Sequence, residues 1–262
     1  MTQTTSFQLI RNATNVFKYG GKIFLIDPML AEKEAYPGFE GTPNAELRIP
    51  LVSLPVPVET LLDPDVIILT HLHPDHWDHA AMNLLPKDKT IFVQNAADAN
   101  TVRSAGFTNV SVIEEKTAFE GVLIQMTDCQ HGSNEAFAVP QVAESLGDAS
   151  GLYFNQSDEK SVYFVGDTIW IDQVEQNLKT LKPDVVILNA GDAQLNGFGS
   201  IIMGKEDVLR VHKILPNAKI IVMHMEALNH CLLSRKELRQ YTIDNNIADF
   251  VLIPEDGETI EL

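Results

Sequence analysis

The sequence predicts an α/β protein. Short apolar runs rich in β-branched residues recur along it, and segments of helical period lie between several of them. No stretch rich enough in Pro, Gly or Ser divides the chain, so residues 1–262 are expected to form one domain. A hydrophobic fraction of 45% is enough to bury a full core at this length.

The elements follow in order. FQLIRNATNVFKYGGKIFLIDP reads as a β-hairpin turning at Gly20-Gly21. Residues 28–64 hold seven of the thirteen prolines and little periodicity, which predicts a long loop of the kind that serves as a functional lid or as a surface excursion. Buried strands are expected at VIIL (66–69), IFV (91–93), VLIQM (122–126), VYFV (162–165), VVIL (185–188), IIVM (220–223) and FVLI (250–253). Helices are expected at 169–181, where Val174, Leu178 and Leu181 share a face, at 205–214 and at 234–246. Ser234 is the predicted N-cap of the last, with Glu237 as its capping-box partner. PDVIILTH (64–71) and PDVVILNA (183–190) echo one another, as a two-fold internal repeat would require.

Composition narrows the function classes. A net charge of −17 argues against nucleic acid and anionic membrane as partners, since both are polyanions; it also keeps a chain soluble. Two cysteines, Cys129 and Cys231, form neither a CxxC pair nor a disulfide framework, and a reducing cytoplasm is expected. The N-terminus lacks a charged region followed by a long apolar stretch, so no signal peptide is expected, and no apolar run approaches the length of about 20 residues that a membrane helix needs.

The chemistry concentrates in THLHPDHWDH (70–79), which packs four histidines into ten residues directly after a predicted strand. In extended chain His71 and His73 share a face. Pro74 forces a turn, after which Asp75 and His76 are expected to start a helix and aim at a second point. Imidazole is the commonest zinc ligand, and a carboxylate suits a shared position. Two ions need more donors than these four. Three more follow strands: His131 in TDCQHG, Asp167 in GDT and His224 in MHM.

HxHxDH followed by these three residues resembles the metallo-β-lactamase superfamily of metal-dependent hydrolases, over nearly the whole chain, and GGKIFLIDP with Asp27 looks like that family's opening hairpin. The resemblance implies a four-layer αβ/βα sandwich, two mixed sheets flanked by helices, with a dinuclear site at the sheet edges. It implies His71, His73 and His131 on a first metal, Asp75, His76 and His224 on a second, and Asp167 bridging both. The short N-terminus, NAGDA (189–193) and Met203-Gly204 look similar to the ascorbate-6-phosphate lactonase-like branch.

Two divalent ions about 3.5–4 Å apart would make hydroxide available from a bridging water near neutral pH. Zn or Mn is expected, with Fe compatible with the mixed N/O donor set. Asp75 is expected both to ligate and to orient the nucleophile, and His230 to donate a proton to the leaving group or to bind substrate. Asp27 and Asp78 are candidate anchors of the imidazoles, Asp78 equally a helix N-terminal acid. Trp77 is expected to pack, His79 to face solvent, Cys129 to act as a small buried hydrophobe, and Arg48 is a candidate for an anionic group on substrate. Specificity is expected in residues 30–60 and 192–204.

The leading function is a metal-dependent hydrolase of a small-molecule lactone, ester or phosphodiester, the last behind the others. The alternatives are a mononuclear iron oxidoreductase of the same fold, a phosphodiesterase or nuclease, and a degenerate binding protein. A homo-oligomer is compatible with the sequence.

Overall fold

A computed structural model describes residues 5–114 and 116–262; the first four residues of the stretch inspected for a signal peptide lie outside these. The strands, in chain order, are β1 (Ser6–Arg11), β2 (Thr14–Tyr19), β3 (Lys22–Ile26), β4 (Val66–Leu69), β5 (Thr90–Val93), β6 (Asn109–Val112), β7 (Thr117–Phe119) and β8 (Val122–Asp128). They continue with β9 (Ser150–Asn155), β10 (Val162–Phe164), β11 (Val185–Asn189), β12 (Gln194–Leu195), β13 (Gly199–Ser200), β14 (Lys219–Met223), β15 (Val251–Leu252) and β16 (Thr259–Glu261). The helices are α1 (His79–Leu84), α2 (Ala96–Ser104), α3 (Asn134–Phe137), α4 (Pro140–Leu146), α5 (Asp172–Leu181), α6 (Lys205–Ile214) and α7 (Arg235–Asp244).

Two seven-stranded sheets carry the fold, in the orders β16-β1-β2-β3-β4-β5-β6 and β15-β14-β11-β10-β9-β8-β7. Each is antiparallel at one end and parallel at the other: β3-β4-β5-β6 and β10-β11-β14-β15 are the parallel runs. Period-two alternation then sorts the side chains. Val66 and Ile68 point between the sheets while Ile67 and Leu69 point outward, and Val185 and Ile187 alternate in the same way with Val186 and Leu188. The outward residues of the first sheet pack on α1 and α2, and those of the second on α5, α6 and α7. The result is a four-layer sandwich of two mixed sheets flanked by helices.

The echoed PD-strand segments occupy matching places in the two sheets. Asp65 Oδ2 accepts from Ile23 N at 2.7 Å and Asp184 Oδ2 from Ser161 N at 2.8 Å, so each aspartate fastens its parallel strand to the neighbour beside it. At the far ends of these strand pairs lie Asp27 with Thr70, and Asp167 with Asn189.

Several local expectations need correction. The N-terminal segment makes two hairpins, with a first turn at Asn12-Ala13 before the predicted one at Gly20-Gly21. Gly20 and Gly21 have φ of 58° and 73°, as a two-residue hairpin requires. The helix expected from 169 begins at Asp172, because the backbone is still extended at its N-cap Ile171, and Ile169 N donates to Gln130 O at 2.9 Å. Asp75 does not start a helix: Asp75–Trp77 form a turn closed on His73 O, and Asp78 caps α1 through Ala81 N at 2.7 Å. Of FVLI only Val251–Leu252 is strand, since Phe250 N closes a turn on Ile247 O. Ser234 caps α7 as predicted, but Glu237 pairs with Lys205 instead of completing the capping box. Among the described residues no helix is long and apolar enough to cross a membrane.

Candidate metal centre

The site lies where strand ends of both sheets meet. His71, His73, Asp75 and His76 follow β4; His131 follows β8; Asp167 follows β10; His224 follows β14. All seven converge in two groups, His71–His73–His131 and Asp75–His76–Asp167–His224, each with one donor atom per residue within 4.8 Å of the others. One atom lies between the groups. Asp167 Oδ2 is 3.1 Å from His76 Nε2, 3.5 Å from His224 Nε2, 3.8 Å from His131 Nε2 and 4.0 Å from His71 Nε2.

The surrounding hydrogen bonds fix which nitrogen of each ring faces inward. His131 Nδ1 donates to Ile201 O at 2.9 Å, and His73 Nε2 donates to Ser145 O at 3.0 Å. Asp27 does the most. Its Oδ2 accepts from His76 Nδ1 at 2.8 Å and from Thr70 Oγ1 at 2.7 Å, and Thr70 Oγ1 in turn accepts from His71 Nδ1 at 3.2 Å. One buried carboxylate therefore orients one imidazole in each group. Replacing Asp27 with Asn should weaken metal affinity by about 10- to 100-fold while leaving the fold intact, measured by competition with a chromophoric chelator. Unchanged affinity would refute that anchoring role.

Asp167 Oδ1 accepts from Asn189 Nδ2 at 2.6 Å. Asn12 Nδ2 donates to Asp75 O at 3.2 Å and reaches Asp75 Oδ2 at 3.4 Å, and Asn12 O accepts from His224 N at 3.0 Å. Asn12, Asp27 and His224 all hold left-handed φ, of 57°, 48° and 64°. Such backbone strain gathers at functional sites, where the surrounding structure over-determines it.

The electrostatics fit a bound cation. His71 is pushed well below its ordinary pKa by burial and by the imidazoles of His76 and His73, and burial takes His131 down to about 4. Both are neutral, with a lone pair to offer. In the second group burial opposes the charges, yet Asp167, Asp75 and Asp27 carry His76 up to about 10, and Asp167 and Cys231 raise His224. Against their own burial, Asp75 and Asp167 are held well below the carboxylate range by these imidazoles. Five imidazoles and two carboxylates thus face one another with only protons to balance them, and a divalent cation balances them better. Two observations show the fit directly. His71 Nε2 is buried without a hydrogen-bond partner, and His76 Nε2 lies 3.2 Å from His224 Nε2. A cation satisfies both.

A cavity of about 360 Å³ opens onto this cluster. Phe39, Leu146, Leu195 and Ile201 give it apolar walls, and His230 completes it beside His73, Asp75, His131 and Asp167. The segments 30–60 and 192–204 both line it, as expected; Ser145 and Leu146 at the end of α4 are a third contributor without a sequence signal. Among the described residues the lining holds Glu40 but neither Lys nor Arg. His230 is buried, its Nδ1 lacks a partner, and burial lowers its pKa to about 4. It is a neutral imidazole at neutral pH, able to donate or relay a proton but not to store one.

Two sequence candidates fall elsewhere. Asp78 touches no imidazole: beyond capping α1 it accepts from Ala31 N at 2.8 Å and so ties down the proline-rich segment. Arg48 donates to Glu34 O and Ala35 O, both at 2.8 Å, bracing its own loop away from the cavity. Trp77 is buried against Phe107 and His79 is exposed, both as expected, whereas Cys129 is only half-buried, its thiol donating to Val165 O at 3.1 Å. Cys231, given no place in the site by the sequence, sits 3.5 Å from His224 Nδ1.

Comparison with known proteins agrees with this geometry. The model of the beta-lactamase superfamily domain matches residues 23–225. The UPF0173 protein YddR of Bacillus subtilis is 47% identical over 251 residues, 95% of this chain and 97% of its own. The chain belongs to the UPF0173 family of this superfamily. Other members, from archaea and Bacillus cereus, carry the name metal-dependent hydrolase, and this chain is an enzyme of that class. Two solved structures superpose closely. An isothiocyanate hydrolase from Delia radicum gut bacteria is 52% identical, with a TM-score of 0.96 over 98% of this chain and 99% of that one. A possible metal-dependent hydrolase from Veillonella parvula is 46% identical, with a TM-score of 0.97 over 99% of this chain and 100% of that one.

Proposed function

We propose that this family member hydrolyses small uncharged electrophiles with an apolar tail, an isothiocyanate first and a lactone or ester second. The observation that carries the proposal is the cavity: apolar walls without Lys or Arg, opening on two converged donor groups. A phosphodiester or nucleic acid would want cations on that wall, and Glu40 there repels anions. The 52% identical isothiocyanate hydrolase supports the choice of electrophile.

His71, His73 and His131 would hold one divalent ion and Asp75, His76 and His224 a second, with Asp167 shared; Zn or Mn suits these donors. Ions bound there would acidify a water and polarise the electrophile. Asp75, ionised, accepts a hydrogen bond from that water and aims it. Water oxygen bonds to the central carbon of R–N=C=S and one of its protons passes to nitrogen, giving the thiocarbamate R–NH–C(=S)–OH; its second proton passes to nitrogen as the C–N bond breaks, which releases the amine and carbonyl sulfide. His230, neutral and unpartnered at Nδ1, relays these protons one at a time.

The lactonase-like motifs have structural work that is independent of substrate. A Cβ at Gly191 would lie 1.9 Å from His224 O, and Gly204 N starts α6 by donating to Asp207 Oδ2 at 3.1 Å.

A panel of allyl isothiocyanate, a γ-lactone, an aryl ester and a phosphodiester, run alongside elemental analysis, tests the proposal. Amine release from the isothiocyanate at the highest kcat/KM, with two divalent ions per chain, is the expected result. Preference for the phosphodiester, or a single iron per chain, would overturn it.

A further inference from the structure

The segment from Phe39 to Asn44 forms one wall of the cavity, and its attachment is concentrated on one residue. Asn229 is 2% exposed. Its Oδ1 accepts from Phe39 N at 3.2 Å, and its Nδ2 donates to Thr42 Oγ1 at 2.8 Å and Pro43 O at 2.7 Å. Asn44 Nδ2 closes the ring on Asn229 O at 2.9 Å. The opposite wall joins in, with Asn196 N donating to Gly41 O at 2.9 Å.

The next residue in the chain is His230. Its ring meets Phe39 edge-on, with centroids 5.1 Å apart and planes at 88°. The amide of Asn229 therefore sets the apolar wall and the polar group of the pocket together.

We infer that Asn229 is a positioning residue that clips the Phe39–Asn44 segment into a fixed wall, and that Phe39, so held, selects substrates with a bulky apolar tail. The inference rests on the reading of the site as one for small uncharged electrophiles. An amide with every polar atom paired inside a buried loop costs little to keep and much to break. A wall already in place spares the substrate the cost of ordering it, so the clip acts on binding. The proline-rich segment is then a built part of the pocket, not a lid that closes on it.

The test uses metal-loaded enzyme, with methyl and benzyl isothiocyanate as probes and hydrogen exchange of residues 39–44 as a second readout. Phe39→Ala should raise KM for the benzyl compound about tenfold more than for the methyl compound, with the loss in KM and not in kcat. Asn229→Ala should reproduce that tail-selective rise at wild-type metal content. It should also speed exchange across residues 39–44 by about tenfold or more. If Asn229→Ala does not fold, Thr42→Val removes one acceptor of the clip and should move both readouts the same way. Equal KM rises for the two probes, or unchanged exchange in the clip variants, would overturn the inference. Should the wild type turn over no isothiocyanate, the proposed reaction fails by itself, and exchange at residues 39–44 still decides the clip.

Discussion

Replacing Asp167 with asparagine is expected to lower hydrolysis by about a thousandfold or more, a loss on the order of 4 kcal/mol in transition-state stabilisation. The purified variant should carry about one divalent ion or fewer per chain. The reason is positional. Asp167 Oδ2 is the oxygen that faces imidazoles of both donor groups, and Asn189 holds the other oxygen so that the carboxylate cannot turn away. An amide of the same shape offers less negative charge to share and a hydrogen-bearing nitrogen where a lone pair is needed. Elemental analysis and steady-state kinetics on the same preparation decide the matter. Wild-type metal content with wild-type turnover would remove Asp167 from the proposed centre.

Phe17→Ala should be the most costly change away from the site, at about 3–5 kcal/mol of stability, or roughly 10 °C in melting temperature. Phe17 is fully buried in the first sheet, and its ring meets Phe154 at 5.1 Å and Phe164 at 5.2 Å, both edge-on, from the second. The side chain thus joins the two inner faces. Its removal deletes buried area and two favourable aromatic contacts and leaves a void that strands on both sides hold open. Thermal unfolding of the metal-loaded protein measures it. A shift of only a degree or two would mean that the sheets close over the gap.

Much of the architecture could be read in the sequence, because both fold and chemistry obey short-range rules. A buried parallel strand must be a short β-branched run, so VIIL, VVIL and IIVM announced β4, β11 and β14. Donors placed directly after such runs arrive at strand ends, and the seven residues singled out on that basis do converge. The elements that escaped were the less regular ones. The strand β9 carries Gly and Asn, and α2 is too polar to show a strong helical stripe.

Two charged candidates are engaged away from the site. Asp78 and Arg48 carry charges that sequence reasoning sends toward imidazole or substrate, yet Asp78 caps α1 at Ala81 N, the other role expected of it, and accepts from Ala31 N, while Arg48 donates to Glu34 O and Ala35 O. Conversely, Asn12, Asn189 and Asn229 look like ordinary turn and loop residues, and only their burial shows that each must satisfy its amide on a particular partner.

The sequence by itself determined the α/β class, the places of the main strands and helices, and which seven His and Asp residues gather at the strand ends, since each depends on side-chain type and on spacing of a few residues. Tertiary structure decided which ring nitrogen faces inward, that Asp27 serves two imidazoles at once, and that a proline-rich segment forms a pocket wall. Those outcomes depend on carbonyls such as Ser145 O and Ile201 O, and on an asparagine nearly 190 residues from the segment it clips. A backbone oxygen is the same in every residue, so its position is set only when the whole chain has folded around it.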